Sequence, residues 1–144
     1  MNLTDEIIKD MNLARSILST NDFTVVIIRD GKIISHKKEH GIKPILELID
    51  ELGNEIIGTV VGNRFLGKAQ AFLCRYSKVA GVYSPQATKT AIAILIIGGI
   101  PCQADEMIPF IKNDNIDSLS TFEKMVKNVE SPEEAYNILK YNVI

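Results

Sequence analysis

The residues whose types and spacing come nearest to a chemistry are Gly62-Asn63-Arg64-Phe65-Leu66-Gly67-Lys68-Ala69. The pattern G-x-x-x-x-G-K-[ST] cradles nucleotide phosphates on backbone amides, with the lysine on the outer phosphates and the hydroxyl on Mg²⁺. Here Ala69 takes the hydroxyl's place and cannot ligate a metal. The carboxylate-ended apolar strand that completes an NTPase site is also missing, since AIAILIIGG ends in glycines and VAGVYS in serine. Nucleotide hydrolysis is therefore the weakest reading. Two others stay open. Free amides, Lys68 and a helix dipole at a strand-to-helix junction favour a bound anion without hydrolysis, and the same residues can form a purely structural turn.

Other reactive side chains are few. His36 falls in a strand and His40 in the loop after it, so they need not converge on a metal. Cys74 lies mid-helix and Cys102 near a turn, with no spacing for a zinc knuckle or a disulfide framework. A G-x-S-x-G nucleophile elbow is absent. Of the carboxylates Glu39, Glu47, Asp50 and Glu51, only Glu47 draws notice, one turn into a helix, and a solvated position explains it. No metal and no cofactor is expected from this set.

The elements that must position these residues follow from periodicity. Thr4 caps an amphipathic helix over 4–20, with Ile7, Ile8, Met11, Ala14, Ile17 and Leu18 at helical spacing. Two β-branched runs around Asp30-Gly31 predict a tight hairpin over 23–37. Gly41-Ile42-Lys43-Pro44 opens a helix with buried Ile45, Leu46, Leu48, Ile49 and Leu52, ended by Gly53-Asn54. A strand over 56–62, a helix over 67–78, a strand over 79–84 and a helix over 85–97 follow, then a short strand near 102–104. Thus 43–104 is an α/β core. Ser120-Thr-Phe-Glu123 and Ser131-Pro-Glu-Glu134 match the capping box, so a helical tail over 120–141 follows the loop 112–119. One domain, 1–144, is expected. Its class is a three-layer α/β/α sandwich around a mixed sheet that starts with an antiparallel hairpin.

Bulk properties remove some functions. The chain has 144 residues, 46% apolar and 24% charged, with a net charge of −2. That charge opposes a nucleic-acid partner, and the basic group Lys32, Lys37, Lys38 and Lys43 reads as solvated surface. The longest uncharged apolar run, 91–100, is half a bilayer span, and the N-terminus has no signal pattern. A cytoplasmic protein with no membrane partner is expected.

Helix, hairpin, helix, strand, helix, strand, helix is also the order of the cytidine-deaminase-like fold. Enzymes of that superfamily hold zinc at the starts of two helices, through His-x-Glu or Cys-x-Glu and through Pro-Cys-x-x-Cys. The corresponding stretches, EHGIKPILE (39–47) and GNRFLGKAQA (62–71), keep no such ligands. The DGKI hairpin, GIKPILEL, GNRFLGKAQAFL, VYSP and the late Ser-Thr-Phe-Glu together resemble an uncharacterised prokaryotic family placed with this fold but lacking its zinc site. That family commonly has a Cys-Pro-Met-Glu-like motif where Ser120 to Glu123 stand. The resemblance covers nearly the whole chain and implies a fold, a site without zinc, and no activity.

The strand ends and helix starts should still form a crevice. Gly41, Lys43, Asn63, Arg64, Gly67, Lys68 and Ser84 fall at that edge, a set rich in amides and positive charge. The expected partner is a small anionic, nucleotide-like ligand. The rival expectation is a regulatory or scaffolding module that self-associates as a homo-oligomer.

Overall fold

The computed structural model describes residues 3–109 and 119–143. Helix α1 (Asp5–Thr20) starts where Thr4 Oγ1 accepts from the Ile7 amide at 3.2 Å, and it buries Met11, Ala14, Ile17 and Leu18. Strands β1 (Val25–Arg29) and β2 (Lys32–Lys37) form the expected hairpin. Asp30 and Gly31 both take positive φ, 50° and 76°, the geometry that turn needs. The buried Asp10 carboxylate accepts from the Gly31 amide at 2.9 Å and ties the turn to α1. Helix α2 (Lys43–Leu52) has Pro44 in its first turn and ends at Gly53.

Three boundaries differ from the sequence expectation. The strand expected over 56–62 is only β3 (Val60–Asn63). Before it, Gly53–Ile56 is a 3-10 turn, Gly58 has φ 79°, and the Ile56 carbonyl accepts from the Thr59 amide and hydroxyl, which bends the chain. After α3 (Lys68–Tyr76), strand β5 runs over Gly81–Thr88, and α4 covers Lys89–Ile97 rather than 85–97. Pro85 suits extended backbone, pairing of Gln86, Ala87 and Thr88 with Glu106, Met107 and Ile108 holds the segment straight, and Thr88 Oγ1 caps α4. Strand β6 accordingly spans Cys102–Ile108, well beyond 104. A two-residue strand, β4 (Phe65–Leu66), was not expected.

The sheet order is β2-β1-β3-β5, with β6 on the far side of β5. Strand β3 pairs with the first half of β5 and β4 with its second half, so β4 continues the lane of β3 past a break at Arg64. The hairpin and the β1–β3 pair are antiparallel, and the remaining pairs are parallel. Helix α1 covers one face through Val26, Ile28, Val60 and Tyr83. Helices α2, α3 and α4 cover the other, over Val25, Ile27, Val61 and Val82. This is the mixed α/β sandwich anticipated.

Helices α5 (Leu119–Met125) and α6 (Pro132–Val143) complete the fold. Ser131 Oγ accepts from the Glu134 amide at 3.2 Å, half of the expected capping box. The predicted loop 112–119 lies outside the described residues except for its last position. Among the described residues, no helix is long and apolar enough to cross a membrane.

Candidate functional site

One end of the sheet gathers both helix starts. Val25 pairs with Lys37 at the end of β2 and with Asn63 at the end of β3. Thr24 Oγ1 donates to the carbonyls of Lys37 and Glu39, at 3.2 and 2.9 Å, which draws the chain entering α2 to this end. Asn63 is followed by the break, by β4 and by α3. The carboxyl ends of the parallel strands and the N-termini of α2 and α3 thus share one rim.

The start of α3 is the best-defined part of that rim. Glu123, on α5, places its two carboxylate oxygens on the amides of Lys68 and Ala69, each at 2.7 Å. Gln70 Oε1 accepts from the Gly67 amide at 3.0 Å. Burial raises the Glu123 pKa, and the two amides and the Lys68 charge only partly oppose that rise. A β-carbon at residue 67 would stand 2.3 Å from Glu123 Oε1, so only glycine leaves room for the carboxylate. Lys68 Nζ donates to the Lys127 carbonyl at 2.9 Å and fastens the segment after α5. The Ser-Thr-Phe-Glu motif is not the helix start that the capping-box pattern predicts: α5 already runs from Leu119, so Ser120 lies inside it, and the glutamate caps α3 instead.

Asn63 is the other notable group. Gly62 faces α1, since an added β-carbon there would touch Val26, Ala14 and Leu18. Alternation therefore turns Asn63 to the α2–α3 side, the side of its cross-strand partner Val25. It is only 5% exposed, and among the described residues its Nδ2 has no hydrogen-bond partner. Buried amides are nearly always paired, which makes this one conspicuous.

The remaining sequence candidates separate. Arg64 points elsewhere: its guanidinium donates to the carbonyls of Leu18, Asn21 and Phe23 at 2.8–2.9 Å, clamping the end of α1. Ser84 is fully buried, and its hydroxyl is engaged with the Arg64 carbonyl and with Gln86 around Pro85. Both side chains are already engaged within the fold. Gly41, with φ 93°, and the exposed Lys43 lie at the start of α2, where Ile42 provides no side-chain cap. Asn63, Gly67, Lys68, Gly41 and Lys43 thus share the rim, whereas Arg64 and Ser84 build the break beneath it. Sequence reasoning missed Glu123 as a site residue. Its signal was the capping box, which describes a local helix start and cannot reveal a contact 55 residues away.

Zinc does not fit this rim. The helix starts present amides, Lys43, Lys68 and the Asn63 NH₂, and the carboxylate there, Glu123, already has both oxygens on amides, so among the described residues no set of ligands is left for a cation. His36 instead stacks on Phe23 with centroids 4.1 Å apart. Cys74 is buried and Cys102 half-buried; burial pushes the Cys102 thiol up to about 11 and that of Cys74 further. Among the described residues no three His, Cys, Asp or Glu side chains group as metal ligands.

Comparison with protein families decides the kinship. The model of the DUF1893 family, a domain of unknown function, matches residues 13–143. The chain belongs to the DUF1893 family. A DUF1893 protein from Thermotoga maritima, TM1506, has a similar structure: TM-score 0.82 at 26% identity, covering 97% of this chain and 92% of that one. Lesser likenesses are to RibD of Acinetobacter baumannii (TM-score 0.48, 16% identity, 69% of this chain and 33% of that) and to a dCMP deaminase of cyanophage S-TIM5 (0.47, 13%, 74% and 100%). Comparison with curated proteins gives no match.

Proposed function

We propose that this DUF1893 protein binds a small, acceptor-rich, anionic or nucleotide-like molecule at the strand ends, without zinc chemistry. The observation that carries this reading is the buried Asn63 amide, which has no partner among the described residues. An unmet donor in a protein interior costs about 1–3 kcal/mol, and a ligand acceptor removes that penalty on binding. The uncapped first turn of α2 and Lys43 add donors and charge on the same rim.

Thermal-shift screening against nucleotides, free bases and phosphosugars tests it. A hit should stabilise the wild type, and Asn63→Leu should abolish the shift while leaving the unliganded protein as stable or more so, because it deletes an unmet donor. Lys43→Ala should weaken anionic members of the panel only. If no member stabilises the wild type, or if Asn63→Leu responds equally, the reading fails.

A second reading has its own observation: Ile96 and Ile97 on α4 are 63% and 77% exposed. They favour self-association of a non-catalytic module. Light scattering that finds only monomer at high concentration removes it.

A further inference from the structure

Two consecutive main-chain amides holding the two oxygens of one carboxylate, at the first turn of a nine-residue helix, is a recognised way to bind an oxyanion. In this protein the chain supplies the oxyanion itself, from Glu123. Three features set the arrangement apart from an ordinary cap. The carboxylate comes from a helix 55 residues distant in sequence. It fits only because residue 67 has no side chain. And the strand leading to this helix ends in a buried donor, Asn63 Nδ2, that no described residue satisfies. Glu123 meets the α3 amides and leaves Asn63 unmet.

We propose that the start of α3 is an oxyanion site for the carboxylate or phosphate group of a small molecule. Glu123 is its tethered occupant, which the incoming group displaces, and Asn63 is a second donor to the same molecule. This rests on the reading that the rim takes a ligand, and it names which group enters and what it displaces. A tethered group competes at an effective concentration in the millimolar range, so an anion lacking a second contact should bind the wild type weakly. A molecule that also meets Asn63 gains a bond that Glu123 does not make. Burial that opposes the Glu123 charge eases its departure.

Calorimetric titration of inorganic phosphate and of acetate into the full chain tests the proposal, using the wild type, Glu123→Gln, Glu123→Ala and the double variant Glu123→Ala/Gly67→Ala. Circular dichroism checks each fold. Glu123→Ala should bind one of the two anions at least about tenfold tighter than the wild type, and Glu123→Gln should move the same way. The tighter anion identifies the group. Restoring bulk at residue 67 should abolish the gain. If the folded Glu123 variants bind neither anion better than the wild type does, or if Gly67→Ala leaves the gain intact, the proposal is overturned; Glu123→Gln decides should Glu123→Ala not fold. Failure here is distinct from failure of the ligand reading. A panel ligand that needs Asn63 while the Glu123 variants ignore phosphate and acetate sinks only this proposal. Anion binding released by Glu123→Ala with no panel ligand for the wild type sinks only the other.

Discussion

Gly62→Ala separates packing from ligand chemistry within the P-loop-like stretch. A phosphate cradle would use Gly62 for close approach of a ligand, yet the residue faces α1. A β-carbon there would stand 2.8 Å from Val26 Cγ1, 3.1 Å from Ala14 Cβ and 3.3 Å from Leu18 Cδ1. Val26 and Ala14 are fully buried, on a strand and a helix that cannot swing aside, so the α1–sheet contact must open slightly. Overpacking of this kind costs about 1–3 kcal/mol. At about 2–4 °C per kcal/mol for chains near this length, the melting point should fall roughly 2–12 °C. Val26→Ala alone should cost about 2 kcal/mol through its lost methyl groups. It also removes the nearest obstacle, so the double variant should be about 1 kcal/mol more stable than the sum of the two singles predicts. Urea unfolding followed by far-ultraviolet circular dichroism measures all four proteins. A neutral Gly62→Ala, or single effects that add within about 0.5 kcal/mol, refutes the packing argument. Loss of ligand response in a folded Gly62→Ala would return the glycine to the site.

Three further outcomes are expected. Burial lifts the native Glu123 pKa above its unfolded value, so the native state holds its proton more tightly, and stability should fall as pH rises from the ordinary glutamate value through the raised one; Glu123→Gln should flatten that part of the stability–pH curve in urea titrations. Arg64→Met strands the carbonyls of Leu18, Asn21 and Phe23 and should cost about 1.5–3 kcal/mol, while Arg64→Lys, reaching fewer carbonyls, should recover only part of it in the same assay. Because burial keeps both thiols protonated, a disulfide reagent at pH 8 should label neither Cys74 nor Cys102 quickly in the native protein and both in urea; rapid native labelling would contradict the burial argument.

Local rules made the helices and the hairpin legible. Thr4, Asp30-Gly31, Pro44 with Gly53, and Ser131 each encode a start, turn or stop within a few residues, and each acts as read. The misplaced boundaries share a cause. Pro85–Thr88 has the composition of a helix start, but β6 holds it extended from twenty residues away. Ile56–Thr59 has strand composition, but the carbonyl of Ile56 is claimed by Thr59. The site was legible as a place, because the end of β3 and the start of α3 adjoin in sequence. Its contents were not. Glu123 arrives from a helix whose path no local pattern specifies, and Arg64 leaves toward α1 because its long side chain meets three carbonyls there.

The stretch 62–69 can now be divided by the direction each residue faces, and the division argues against a single phosphate loop. A P-loop wraps one anion with consecutive amides, so its residues must converge. Here they diverge around a strand break. Gly62 turns to α1 to admit Val26, Arg64 clamps the end of α1, and Phe65-Leu66 resumes pairing with β5. Only Asn63 and the trio Gly67-Lys68-Ala69 turn to the rim. Resumption of pairing at Phe65 fixes the register of this lane, so α3 begins at a set distance past Asn63, with its first amides directed at whatever occupies the rim. Glu123 takes those amides, and among the described residues nothing accepts from Asn63 Nδ2. A nucleotide-hydrolysing loop would need a metal-ligating hydroxyl at Ala69, which is fully buried and lends Glu123 its amide alone. Lysine and glycine recur at a strand-to-helix junction because the physics of a helix start rewards them, and in this protein that physics is first satisfied from within.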